Sequence, residues 1–109
     1  MPFLNTTLKP QEVAVGASRC VPLEGTDVGL FRTAAGFFAL NNICPHRGAP
    51  LHDGFVTDGQ VTCPWHQWQF DLQDGHCRNI PGAKVSAYAV EVREGTIWIN
   101  LDDKGAKKS

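Results

Sequence analysis

Two cysteines and two histidines stand in pairs, Cys44-Pro45-His46 and Cys63-Pro64-Trp65-His66, with sixteen residues between His46 and Cys63. Ligands one or two residues apart in a loop can aim at one centre without help from the rest of the chain, so two such loops can clamp a metal between them. Two thiolates and two neutral imidazoles suit zinc or an iron-sulfur centre and suit magnesium or calcium poorly. A structural zinc site uses the same four donors, although zinc modules usually space each pair by about two to five residues, and a one-residue gap is tight for a tetrahedral ion. A catalytic thiol would need one cysteine, one histidine and an orienting partner, leaving the second pair unexplained. Four good ligands in two mirrored clusters are too many to dismiss as buried cysteines and satisfied histidines.

The elements that must position these residues read as β-strands. Apolar, β-branched or aromatic runs occur at Val28 to Phe31, Phe37 to Asn41, QVTC, WQFDL, Val85 to Val92 and Thr96 to Leu101, and none shows a helical stripe. Breaks such as EGT, AAG, TDG and QDG fall at hairpin intervals, which predicts an all-β fold, an antiparallel sandwich or barrel. Both Cys/His pairs follow β-type runs and precede irregular sequence, so residues from about 42 to 81 are expected to form a loop-built subdomain inserted in a β base. Pro45 and Pro64 fix backbone geometry between the ligands.

With 109 residues, 42% of them apolar, and a formal charge of −1, the chain fits a single domain over 1–109 with one modest core. Apart from the tail DDKGAKKS, expected to fray over 103–109, the positive residues are scattered, so no basic stripe offers itself to nucleic acid. The opening MPFLNTTLKP carries neither a charged leader nor an apolar run, and nothing approaches the roughly 20 apolar residues of a membrane span. A soluble, cytoplasmic protein is expected, one in which four cysteines speak for metal binding or reactivity over a disulfide frame.

The stretches CPHRGAPL and CPWHQWQFD resemble the two cluster-binding loops of Rieske iron-sulfur proteins, and the resemblance runs from about Val28 to Leu101. It implies a 2Fe-2S cluster with Cys44 and Cys63 on one iron and His46 and His66 on the other. Neutral imidazoles in place of two thiolates leave the oxidised cluster without net charge. An electron is then easier to add, and potentials of such centres span about −150 to +300 mV against about −400 mV for plant-type ferredoxins. High-potential members of the family add a disulfide between the loops and a serine and a tyrosine that donate to cluster sulfurs. Here Trp65 stands between the second pair of ligands, Trp68 replaces the serine and Phe70 the tyrosine, which implies a potential in the lower part of the range. Ferric charge should also acidify the outer ring protons of His46 and His66, coupling electron uptake to a proton at alkaline pH.

The remaining candidates are assigned more modest parts. Gln67 departs from the glycine that often follows the second histidine, which should leave that backbone less free. Trp65, Leu51 and Pro81 could form an apolar docking rim beside the histidines, or could shield the cluster from water. Cys20 and Cys77 are expected to be buried or partly buried thiols, and His52 and His76 to be surface residues. From Arg47 to Pro81, Arg47 and Arg78 face Asp53, Asp58, Asp71 and Asp74, an acidic balance that suits a basic redox partner.

The resemblance therefore implies a one-electron carrier, an electron-transfer component that is not itself an enzyme, taking electrons from a flavin reductase and passing them to a terminal oxygenase. The small subunit of an NAD(P)H-dependent nitrite reductase, bound to its large subunit, is the alternative, and a zinc-stabilised binding module the non-redox one. A free-standing hydroxylase would need a further iron held by two histidines and a carboxylate, and His52 and His76 cannot plausibly build that site in so short a chain.

Overall fold

The computed structural model describes residues 3–44, 48–64 and 67–102. The expectation of a frayed tail over 103–109 lies outside the described residues. The described residues hold nine strands and two short 3-10 turns, the latter at Pro10–Glu12 and Leu51–Asp53: β1 Leu4–Asn5, β2 Ser18–Leu23, β3 Thr26–Thr33, β4 Gly36–Asn41, β5 Phe55–Thr57, β6 Gln60–Thr62, β7 Gln69–Asp71, β8 Ala87–Arg93 and β9 Thr96–Asn100. A six-stranded sheet runs β1-β9-β8-β4-β3-β2 and a three-stranded sheet β5-β6-β7, and every strand pair is antiparallel. The all-β expectation holds, with the six-stranded sheet curled into a half-barrel.

Turn chemistry sets the registers. Glu24-Gly25, Asp58-Gly59 and Glu94-Gly95 each place two consecutive residues at positive φ, the conformation whose twist matches a two-residue hairpin. They join β2 to β3, β5 to β6 and β8 to β9.

Strand alternation divides the interior in two. Leu30, Ala39 and Tyr88 point into a cluster with Val13, Val21, Val28, Ile97 and Ile99 inside the six-stranded sheet. Their chain neighbours Phe31, Leu40 and Ala87 point the other way, into a cluster with Leu51, Val61, Phe70, Leu72 and Val85. Side chains of a strand alternate between faces, so β3, β4 and β8 form a wall shared by both interiors. The wall is in register, with Leu30 opposite Ala39 and Leu40 opposite Ala87.

Three strands escaped the sequence reading. β1 spans only two residues; β2 carries Arg19 and Pro22, a proline its position at the sheet edge tolerates; β5 is three residues long with Phe55 exposed. The region between 42 and 81, expected as a loop-built subdomain containing the runs QVTC and WQFDL, holds a sheet of its own in which those runs supply β6 and β7 and pair with β5. The run from Val85 becomes strand only at Ala87, because the Val85 N–H donates to the Gly75 carbonyl and its side chain joins the second core.

Candidate metal centre

Cys44 follows β4 and Cys63 follows β6, and both side chains are 1% exposed within the second core cluster. The turns they open are closed by the same main-chain pattern. In the first, the Cys44 N–H donates to the Ala49 carbonyl at 2.9 Å and the Gly48 N–H donates back to the Cys44 carbonyl at 2.8 Å. In the second, the Cys63 N–H donates to the Trp68 carbonyl at 2.7 Å and the Gln67 N–H donates back to the Cys63 carbonyl at 3.2 Å. The fourth residue after each cysteine has positive φ, 76° at Gly48 and 60° at Gln67. The turn geometry wants a glycine there, and Gln67 occupies the left-handed region that costs a side chain about 1–2 kcal/mol. The departure noted at position 67 is therefore a point of backbone strain.

His46 and His66, the other two candidate ligands, lie outside the described residues, as does Trp65. Among the described residues no three His, Cys, Asp or Glu side chains gather closely enough to hold a metal ion. Cys20, Cys77, His52 and His76 thus build no second centre there. Cys20, Cys63 and Cys77 stand outside any disulfide. Buried thiols on matched turns, with a histidine two residues on from Cys44 and three on from Cys63, are the donor set that a mixed sulfur and nitrogen centre requires, and these residues fit it. A cleft of ≈ 610 Å³ opens beside the second turn, lined among others by Asp53, Phe55, Cys63, Trp68 and Ile80.

Two asparagines that sequence reasoning passed over act as braces, Asn42 on the 3-10 turn that follows the first ligand turn and Asn79 on the second ligand turn itself. Asn42, 3% exposed, precedes the first turn. Its N–H donates to the Asp27 carbonyl and its carbonyl accepts from the Leu51 N–H, both at 2.8 Å. Its Oδ1 accepts the His52 N–H at 2.7 Å, and its Nδ2 meets His52 Nδ1 at 2.8 Å. His52, expected at the surface, is instead half-buried in this bracket because Asn42 captures both its backbone and its ring, and Ser18 Oγ donates to its carbonyl. Asn79 serves the second turn: its Nδ2 donates to the Gln67 carbonyl and its Oδ1 accepts the Gln69 N–H, each at 3.0 Å. The sequence gives one clue to the first brace, the polar pair Asn41-Asn42 ending an apolar strand just before Cys44. It gives none to the second.

Leu51 is fully buried in the core and cannot form a docking rim, whereas Pro81 is exposed. His76 is exposed and Cys77 buried. Cys20 is partly buried; burial and the Asp27 carboxylate raise its thiol above the ordinary range against a lowering hydrogen bond from Asn42, so it stays protonated at neutral pH. Asp71 loses some hydration, which pushes its carboxyl up, but hydrogen bonds from the Arg78 guanidinium at 2.8 Å and the Gln73 N–H at 2.9 Å win and hold it below the usual value.

The family model of the Rieske [2Fe-2S] domain matches residues 5–93. The 4beta-methylsterol monooxygenase of Methylococcus capsulatus is 36% identical over an alignment of 108 positions, gaps included, that covers 88% of this chain and only 28% of that protein. The ferredoxin component of a naphthalene 1,2-dioxygenase system from Pseudomonas aeruginosa is 29% identical over 91 residues, covering 83% of this chain and 88% of that one. Among solved structures, a Mycobacterium tuberculosis chain described as an NADH-dependent nitrite reductase small subunit superposes with a TM-score of 0.83 at 30% identity, covering 91% of this chain and 96% of that one.

Proposed function

Since the chain belongs to the Rieske [2Fe-2S] domain family and so implies a 2Fe-2S cluster, we propose that it is a one-electron carrier, with Cys44 and Cys63 on one iron and His46 and His66 on the other. One observation supports this reading above the rest: two cysteines, each 1% exposed, open turns of one hydrogen-bond pattern and share one core. When bound, the cluster supplies a centre that accepts and returns single electrons at a potential raised by its neutral imidazole ligands.

The chain's own residues hold the thiolates rigidly and keep water from them. Leu51, Val61, Phe70 and Leu72 pack in the same cluster as both cysteines, and the main-chain bonds at each turn fix the Cα positions from which the thiols reach. The electron comes from a flavin reductase and goes to a terminal oxygenase, in the cytoplasm, and the chain carries no catalytic residue of its own. The likeness to a dioxygenase ferredoxin over most of both chains supports that place. The oxygenase relatives are several times longer than the matched segment, so their own activities are not carried over.

Purified anaerobically, the protein should be brown and hold two irons and two acid-labile sulfides per chain, and reduction should give an electron paramagnetic resonance signal whose average g value lies below that of all-thiolate clusters. Cys63→Ala should abolish both. A lone tetrahedral ion in the parent protein would instead establish the zinc module. A second reading, a subunit bound to a nitrite reductase large subunit, draws support from the 30% identity to the Mycobacterium tuberculosis chain over nearly its whole length. Stable co-purification with a larger sirohaem or flavin chain would favour it, and a monomer that exchanges electrons with a separate oxygenase would favour the carrier.

A further inference from the structure

Gln67 sits at φ 60° next in chain to His66, and its N–H is already committed to the Cys63 carbonyl. A side chain at that angle is strained. Its carbonyl accepts a hydrogen bond from Asn79, twelve residues on, whose Nδ2 donates to it at 3.0 Å. The same Asn79 side chain accepts the Gln69 N–H at 3.0 Å and the Cys77 thiol at 3.4 Å. The amide orientation is unambiguous, since the oxygen faces two donors and the nitrogen a carbonyl. Asn79 is itself placed by its neighbours: the Arg78 N–H donates to the Gln69 carbonyl at 2.7 Å, Cys77 bridges to Phe70, and Arg78 reaches both Gln60 and Asp71 at 2.8 Å.

We propose that Asn79 is a positioning residue for the second ligand turn: by holding the peptide groups of Gln67 and Gln69 on either side of Trp68, it stabilises the left-handed backbone at Gln67 that closes the turn opened by Cys63. Where glycine follows the second histidine the turn adopts this angle at no steric cost. With glutamine there, a side-chain clasp from the third loop, residues 76–84, takes over that task. The first turn has glycine at the equivalent position, Gly48, and Asn42 braces the strand end and the Leu51–Asp53 turn instead of that backbone.

This inference rests on the cluster reading, and the parent protein separates the two: without iron and sulfide in the parent, the function fails before Asn79 is tested. With a loaded parent, Asn79→Ala should release its cluster to an excess chelator about fivefold or more faster, the factor set by one side chain's left-handed penalty. It should also shift the midpoint potential and the g values. Gln67→Gly placed on top of Asn79→Ala should restore release rate and spectrum close to the parent's, because glycine no longer needs the clasp. Asn79→Asp, which keeps the acceptor for Gln69 and Cys77 but loses the donor to Gln67, should fold as the parent does and still release its cluster faster. Release and spectra unchanged in both single variants would overturn the proposal. Faster release with no recovery on adding Gln67→Gly would overturn it as well, by showing that Asn79 is only a general prop of the loop.

Discussion

Position 70 holds a phenyl ring, fully buried and tilted 44° against Trp68 with centroids 6.4 Å apart. High-potential members of the family have a hydroxyl there to donate to a cluster sulfur, and a donor stabilises the extra negative charge of the reduced state. The midpoint potential is accordingly expected in the lower part of the roughly −150 to +300 mV range. Phe70→Tyr should raise it: a net hydrogen bond of about 1 kcal/mol corresponds to roughly 40 mV for one electron. Redox titration of the two proteins side by side reads the difference directly, and a potential that stays put or falls would show that the ring does not face the cluster.

At the scale of elements, the small sheet and the loop after it depend on contacts between residues far apart in order. Gly75 has φ 78° and lies where an added Cβ would run into the Val85 carbonyl, which accepts no such neighbour. Gly75→Ala should therefore cost at least about 2 kcal/mol, from the left-handed penalty and the clash together, seen as a lowered denaturant midpoint. Asp71 in β7 ties that strand to Arg78. Its carboxyl is depressed in the folded protein, so the pair's contribution is full well above the ordinary value of 3.8 and fades as pH falls through the lower folded value. Asp71→Asn should cost no more than about 1 kcal/mol near neutral pH, both side chains being partly exposed. Denaturation curves of the two proteins should converge in acid; a gap that widened there would contradict the assignment. The same dependence on distant contacts explains what sequence could reveal. The cysteines and histidines declare themselves by spacing, and β3, β4 and β9 by unbroken apolar runs closed by X-Gly turns. Asn42 meeting His52, Asn79 meeting Gln67, and Val85 leaving its strand to serve Gly75 are pairings created only once the sheets have packed, and no local pattern announces them. The two parts left open for Leu51, rim or shield, are decided in the same way: beside Pro50 and His52 it reads as loop, yet the 3-10 turn carries it into the core, which leaves only the shield.

Across the whole molecule, charge is nearly balanced, but Asp53, which lines the cleft beside Cys63, is well exposed, while Arg78 is engaged by Asp71 and Gln60. A partner with a positive docking face should reach such a surface faster at low salt. Stopped-flow reduction of the oxygenase proposed as its acceptor should slow by about tenfold between roughly 20 mM and 500 mM salt, as screening shortens the Debye length; a rate indifferent to salt would mean a neutral or basic docking face on this chain. The twin turns carry one more implication, for how such a protein can change over time. Because their closing bonds join only amides and carbonyls, the bonds themselves ask little of the few positions in each turn that are neither a candidate ligand, His46 or His66, nor the left-handed fourth residue, Gly48 or Gln67. Those few positions are open to trial, and voltage can drift through substitution while the frame that carries the sulfurs is inherited intact.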